Sequence, residues 1–202
     1  MLLAGLLRLV LSQHVTYLIN SLAHMWGRQP YSTASSARDN SLLALITYGE
    51  GYHNYHHTFQ WDYRNGIKWW HWDPTKWMIR LLSLIGLTRD LKRCNPGDIE
   101  SARLELQYQK ATETCEYLEL PEKWRLRLER EYQELKQTLQ LWSQHRKIWY
   151  EARSEKLQEK LGHLDLMQMR DTYREFHFRL KAQRKRWKHL IEHLASPQLA
   201  PG

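Results

Sequence analysis

Residues 2–23 are mostly apolar, and they limit the options of this chain more than any other segment. In lipid the backbone amides find no water to bond, so such a run is stable there only as a helix. About 20 residues suffice to cross the hydrocarbon core. Arg8, Gln13 and His14 interrupt the run, so the expectation is an incomplete membrane helix rather than a clean span. A secretory signal would place its positive charge ahead of the apolar block and end in small residues. Here Arg8 lies inside the block and Asn20-Ser-Leu-Ala-His24 follows it, which argues against a signal.

The remaining sequence divides by charge. Residues 1–97 carry 10 Lys/Arg against 5 Asp/Glu, whereas residues 98–202 carry 20 against 17. The formal charge of +8 is therefore +5 on a sparsely charged front and +3 on a densely charged tail. Chain-wide figures, a pI near 9.5 and a mean hydropathy of −0.71, average two different objects. A length of 202 residues allows one or two domains and excludes a large multidomain enzyme. Two cysteines make no disulfide framework, and without a Cys-x-x-Cys element no cysteine-based zinc site is expected.

Within the front, residues 26–41 are polar and turn-rich, and residues 42–55 resume an apolar pattern expected to form a short buried helix. Residues 59–72 mix Trp61, Tyr63, Trp69, Trp70 and Trp72 with Asp62, Arg64 and Lys68. Such mixing suits a membrane interface, and equally a single-stranded nucleic acid. Residues 77–87 predict an amphipathic helix too short to span, with Pro74 near its start.

Residues 95–98, Asn-Pro-Gly-Asp, read as a turn with Asp98 as helix cap. Beyond it, apolar residues at 128, 132, 135, 139, 142 and 149 follow a helical seam spacing, with a break at Pro121. A softening at Gly162 precedes a second seam at 173, 176, 180, 187, 191 and 194. Neither stripe can be buried alone, so a charged helical hairpin or coiled coil is predicted over 99–195, with residues 94–98 as linker and 196–202 disordered. Residues 181–188 form a basic patch. As a nucleic-acid site it would bind with strong salt dependence, but a solvated or membrane-facing basic face is the favoured reading. Self-association through the tail is a further expectation.

The strongest chemical signal is Gly49-Glu-Gly-Tyr-His53-Asn-Tyr-His56-His57. On a helix His53 and His57 share a face, with His56 beside them, and three imidazoles in one turn suit iron or zinc. Asn20 and His24 form a weaker pair at the end of the apolar helix. Glu50 and Asp62 are candidate carboxylates for orienting a metal-bound ring, or plain loop charges. His14, His71 and the tail histidines 145, 163, 177, 189 and 193 read as structural or solvated.

These elements together resemble the membrane fatty acyl desaturase family. The carrying residues are Asn20-Ser-x-x-His24 with Gly27, then Gly49-Glu-Gly-x-His53-Asn-x-His56-His57, followed by Phe59, Asp62-Tyr63 and Trp69. Trp72-Asp-Pro-Thr-Lys-Trp77 and residues 84–93 look like the end of the bacterial acyl-desaturase domain. The resemblance covers residues 1–93 and implies an all-α partial membrane helical bundle. It implies His24, His53, His56 and His57 as ligands of a di-iron centre, Asn20 as a ligand through water, and Thr16 and Tyr17 at the acyl tunnel. It further implies insertion of a cis double bond into a fatty acyl thioester or acyl lipid with O₂. Electrons would come from a separate donor, such as a ferredoxin or b-type cytochrome system. The implied location is a membrane, the bacterial inner membrane for that type, with the histidines and tail on the cytoplasmic side. The family's first two histidine boxes are absent from these 202 residues, so the chain is expected to be inactive alone.

Overall fold

The structure, a computed structural model, describes residues 2–153 and 163–195. Among the described residues every regular element is helical: α1 (Leu2–Asn20), α2 (Leu22–Met25), α3 (Ser41–Ile46), α4 (His53–Thr58), α5 (Pro74–Leu84), α6 (Pro96–Tyr117), α7 (Glu122–Ala152) and α8 (His163–Leu194). The fold is all-α. The expectations at Gly162 and over 196–202 lie outside the described residues. The chain forms two compact units, Met1–Cys94 and Asn95–Gly202.

In the first unit, α1 and α2 together offer a helical stretch, Leu2–Met25, long and apolar enough to cross a membrane. No residue of α1 is buried, and only Val15, Leu18 and Ile19 are partly covered. The unit's interior is small and tied by polar residues. Tyr31 meets Tyr55 and Phe59 edge-on, and Tyr55 lies tilted against Phe59, with ring centroids 5.0–5.7 Å apart. Around them lie buried groups whose bonding is spent on loops. Asp73 caps α5 at Lys76 N and accepts from the amides of Asn65 and Gly66, each at 2.9 Å. Lys76 sends its buried Nζ to the carbonyls of Gly66, Lys68 and His71. Both are buried, and such groups are tolerated only when hydrogen-bonded.

The short buried helix expected over 42–55 is instead two helices separated by a turn. Only Leu43 and Ala44 of α3 are buried, while Leu42, Leu45, Ile46 and Tyr48 are more than half exposed. Gly49 at φ +105 breaks the pattern, because the turn needs a left-handed residue there. The amphipathic helix α5 starts at Pro74, earlier than residue 77, since Asp73 supplies the cap and proline fills the first position.

The second unit is a bundle of α6, α7 and α8. Its core joins Leu104, Ala111 and Cys115 of α6 to Leu128, Tyr132, Leu135, Leu139 and Trp142 of α7, and to Leu180, Trp187, Leu190 and Leu194 of α8. Contacts such as Tyr108 with Tyr132 and Trp124 with His193 show that successive helices run antiparallel. A third helix thus joins the expected pair. The helix cap is Asn95 and not Asp98: its side chain accepts from Gly97 N, and Pro96 occupies the first turn, where it loses no bond.

Candidate metal centre

Residue 24 reaches the site through a break in the apolar helix. Ser21 closes α1 with its hydroxyl and amide on Tyr17 O, and α2 then carries His24 for a single turn. The following loop returns immediately. Arg28 and Asp39 exchange main-chain bonds at 2.9 and 2.6 Å, and Arg38 N donates to Ala23 O. Gly27 permits that closure, since a Cβ there would lie 2.6 Å from the Asp39 carbonyl.

The loop is also what orients α4. Asn54, fully buried, accepts from Tyr31 N at 3.0 Å and donates to the carbonyls of Ser32 and Ala37. Tyr55 N donates to Asp39 Oδ1 at 3.0 Å, and Tyr55 OH donates to Asp62 Oδ2 at 2.7 Å. With the residues after His53 spent on these contacts, the helix cannot roll. The face bearing His53 and His57 is held toward His24.

The result is a convergence of three ring nitrogens. His53 Nε2 lies 3.1 Å from His24 Nε2 and 3.1 Å from His57 Nε2. One donor atom from each ring fits within 4.8 Å of the others. A neutral Nε2 holds one proton or one lone pair, so His53 cannot satisfy both neighbours in a straight hydrogen bond. A shared cation would use all three lone pairs. Two imidazole nitrogens at ~2.1 Å from one ion stand about 3.0–3.4 Å apart in cis-octahedral or tetrahedral geometry, which matches the spacing seen here.

The electrostatics favour the same state. Burial, reinforced by the neighbouring His57, His24 and His56, lowers the His53 pKa to about 4 from the ordinary 6.5. Burial likewise lowers the pKa of His57. A donor imidazole must be neutral, and burial keeps His53 so at pH 7. His24 Nδ1 lies 2.9 Å from Ser36 Oγ, a contact that, with the proton on Nδ1, leaves Nε2 bare for a cation. His53 Nδ1 is buried and lacks a well-formed hydrogen bond among the described residues.

Other residues singled out from sequence sit differently. His56 lies off the cluster, its ring 6.1 Å from that of His53 and nearly parallel to it. Asn20 is exposed and donates weakly to Thr16 O at 3.4 Å. Thr16 and Tyr17 lie on the exposed surface of α1, Thr16 bonding back to Ser12 O. Among the described residues neither the Glu50 nor the Asp62 carboxylate is hydrogen-bonded to a histidine ring, although the Glu50 main chain acts on His53. Glu50 accepts from Asn65 Nδ2, while Asp62 takes Tyr55 OH, the Arg64 guanidinium and amide, and Cys94 N. Burial would raise the Asp62 pKa, but these donors outweigh it and hold the carboxyl below its usual range. His71 stacks on Tyr52 and His145 on Phe176, so both are structural rings. Ser36, Asp39 and Asn54 escaped the sequence reading, although Ser36 stands in a Ser-rich loop of ordinary appearance.

No family model matches the chain. Its similarity to known proteins is nonetheless clear over about half its length. It is 49% identical over 107 residues to acyl-CoA desaturase 1 of Saccharomyces cerevisiae, covering 53% of this chain and 21% of that protein. A probable acyl-CoA desaturase of Schizosaccharomyces pombe is 48% identical over 97 residues, 48% of this chain and 20% of its own length. Stearoyl-CoA desaturase 5 of Bos taurus is 44% identical over 101 residues, 50% of this chain and 30% of its own. The matched part thus spans between a fifth and a third of these relatives.

Proposed function

We propose that residues 1–93 are the C-terminal portion of a fatty acyl desaturase domain, and that His24, His53 and His57 hold one iron of its di-iron centre. The observation that carries this reading is the convergence of three Nε2 atoms in a chain half of which is similar to acyl-CoA desaturases. The donor set fits iron: His53 kept neutral by burial, the His24 ring oriented by its contact with Ser36, and a helix whose roll is fixed by its neighbours. His56, and Asn20 through water, complete the set that this chain offers.

Iron bound there would supply, with O₂, the oxidising power needed to remove two hydrogens from an unactivated acyl chain, leaving a cis double bond. The protein's own residues do the positioning. Burial keeps His53 neutral, Asn54 and Asp39 fix the roll of α4, and Asp62 anchors Tyr55 behind it. Helix α1 lies in a membrane, where a fatty acyl thioester or acyl lipid substrate would meet the site, with the histidines on the cytoplasmic side. Four imidazoles fall short of the ligands two irons require, so the remaining histidine boxes come from sequence beyond these 202 residues. The electron donor in this reading is a ferredoxin or b-type cytochrome system, since two cysteines are too few to hold an iron–sulfur cluster within these residues. The relatives named are fungal and mammalian and so favour no bacterial source. The linker expected at residues 94–98 is shorter, because the helical region already begins with α6 at Pro96.

Expression in a desaturase-deficient host, followed by fatty acid analysis, tests the proposal. The chain alone should form no double bonds. Joined to the remainder of the yeast relative it should form them, and His24→Ala or His53→Ala should abolish them while His145→Ala does not. Double bonds made by the chain alone would overturn the fragment reading, and a fully active His53→Ala chimaera the site.

A further inference from the structure

Helix α8 has two faces, and only one is used by the bundle. Leu180, Trp187, Leu190 and Leu194 are buried in the core. On the opposite side, at spacings of four, three and four, stand Arg174, Phe178, Lys181 and Lys185, all exposed. Phe178 is 69% exposed, an unusual state for a large aromatic ring. Three other basic residues of this segment are engaged, Arg184 with Glu100, Arg186 with Glu131 and Glu134, and Lys188 with Glu192, while Arg179 is exposed beside the stripe. Among the described residues no acidic side chain pairs with Arg174, Lys181 or Lys185. Two of the acids near the stripe are themselves occupied, Asp171 by Arg170 and Glu192 by Lys188 and His189; Glu175, exposed beside Arg174, is the acid nearest the stripe in sequence.

We propose that this stripe is a docking surface for anionic lipid headgroups, with Phe178 entering the headgroup boundary between the cations. Charge complementarity selects an anionic partner. The lone central ring selects a lipid surface over a nucleic acid, since strand binders present successive aromatic platforms for successive bases. The same polypeptide carries an apolar helix of spanning length. The inference goes beyond the membrane reading of α1 and is tested apart from it. Each cation brought to such a surface favours the bound state about fivefold.

The test is lysine footprinting by acetylation and mass spectrometry on the full chain in vesicles. One set is neutral phosphatidylcholine, the other contains phosphatidylserine. Labelling of Lys181 and Lys185 should slow at least about fivefold on the anionic vesicles, while exposed Lys110 and Lys147 change little. The protection should vanish in high salt and in the double variant Arg174→Glu, Phe178→Ser, whose thermal unfolding should match the wild type because both residues are exposed. Equal labelling on the two vesicle types overturns the proposal, as does protection by added RNA that exceeds protection by anionic lipid. Flotation separates the two readings. A chain that floats with neutral vesicles supports α1 as a membrane helix whatever the stripe does. A chain that floats only with anionic vesicles supports the stripe and refutes α1, and one that floats with neither refutes both.

Discussion

Gly51 is expected to decide whether the three histidines can meet. A Cβ placed on it would lie 2.2 Å from Ala44 N, 2.6 Å from Ala44 Cα and 2.7 Å from Asn40 O, all main-chain atoms that no side-chain rotation can move. Relief of the shortest contact, from 2.2 Å to the ~3.4 Å where ordinary contact begins, requires residues 51–53 and α3 to separate by about 1.2 Å. The Asn40 N to Gly51 O bond, 2.8 Å long, spans the same gap and would be stretched. His53 follows two residues later, and metal ligands tolerate displacements of only about 0.2 Å. Gly51→Ala should therefore cost about 1–3 kcal/mol in stability and lower metal affinity at least about tenfold. Titration with Co²⁺ alone, followed by its visible absorption, reads the affinity, and denaturant unfolding reads the stability. Gly5→Ala is the control, since a Cβ there meets nothing within 4 Å. A Gly51→Ala protein that binds Co²⁺ as tightly as wild type and unfolds at the same denaturant concentration would refute the reasoning.

Three further outcomes follow from the same geometry. Asp62→Asn removes the charge that faces Arg64 and Tyr55 in a side chain with no solvent exposure; loss of a buried partner costs about 3 kcal/mol, measurable by chemical denaturation. Ser36→Ala should weaken Co²⁺ binding about tenfold by removing the hydroxyl that orients the His24 ring, and circular dichroism should show no loss of helix. In metal-free protein, stability should decline as pH falls from 6.5 to about 4, because the unfolded chain protonates His53 before the folded one does. The decline amounts to roughly 3 kcal/mol, and His53→Phe should flatten it; a pH-independent stability over that window would contradict the burial argument.

The helical class was readable because its causes are local. Proline at the start of α5 and α6, the break at Pro121 and the seam from Leu128 to Trp142 are all patterns within a few turns. That α6 joins the bundle was not readable, because its buried positions include Ala111 and Cys115, too small to mark a stripe. At the site, the histidine run announced a metal-binding chemistry. Which rings meet was a different matter. Helical spacing brings His53, His56 and His57 into one turn, yet the direction of Nε2 pairs His53 and His57 with His24, from 29 residues away in the case of His53. Ser36, Asp39, Asn54 and Gly51 act through contacts between segments far apart in sequence, so their residue types alone carry no signal of their roles.

The amide of Cys94, the last residue of the first unit, closes the set of donors around Asp62 at 2.8 Å. Dissection of the chain into its two units is therefore sensitive to a single position. A first unit ending at Arg93 would lose that donor and leave the carboxylate, and through it Tyr55, less firmly held, whereas one ending at Asn95 would retain it. Protease cleavage or gene division placed just ahead of Cys94 would thus be felt at the histidine helix itself, about forty positions upstream along the chain.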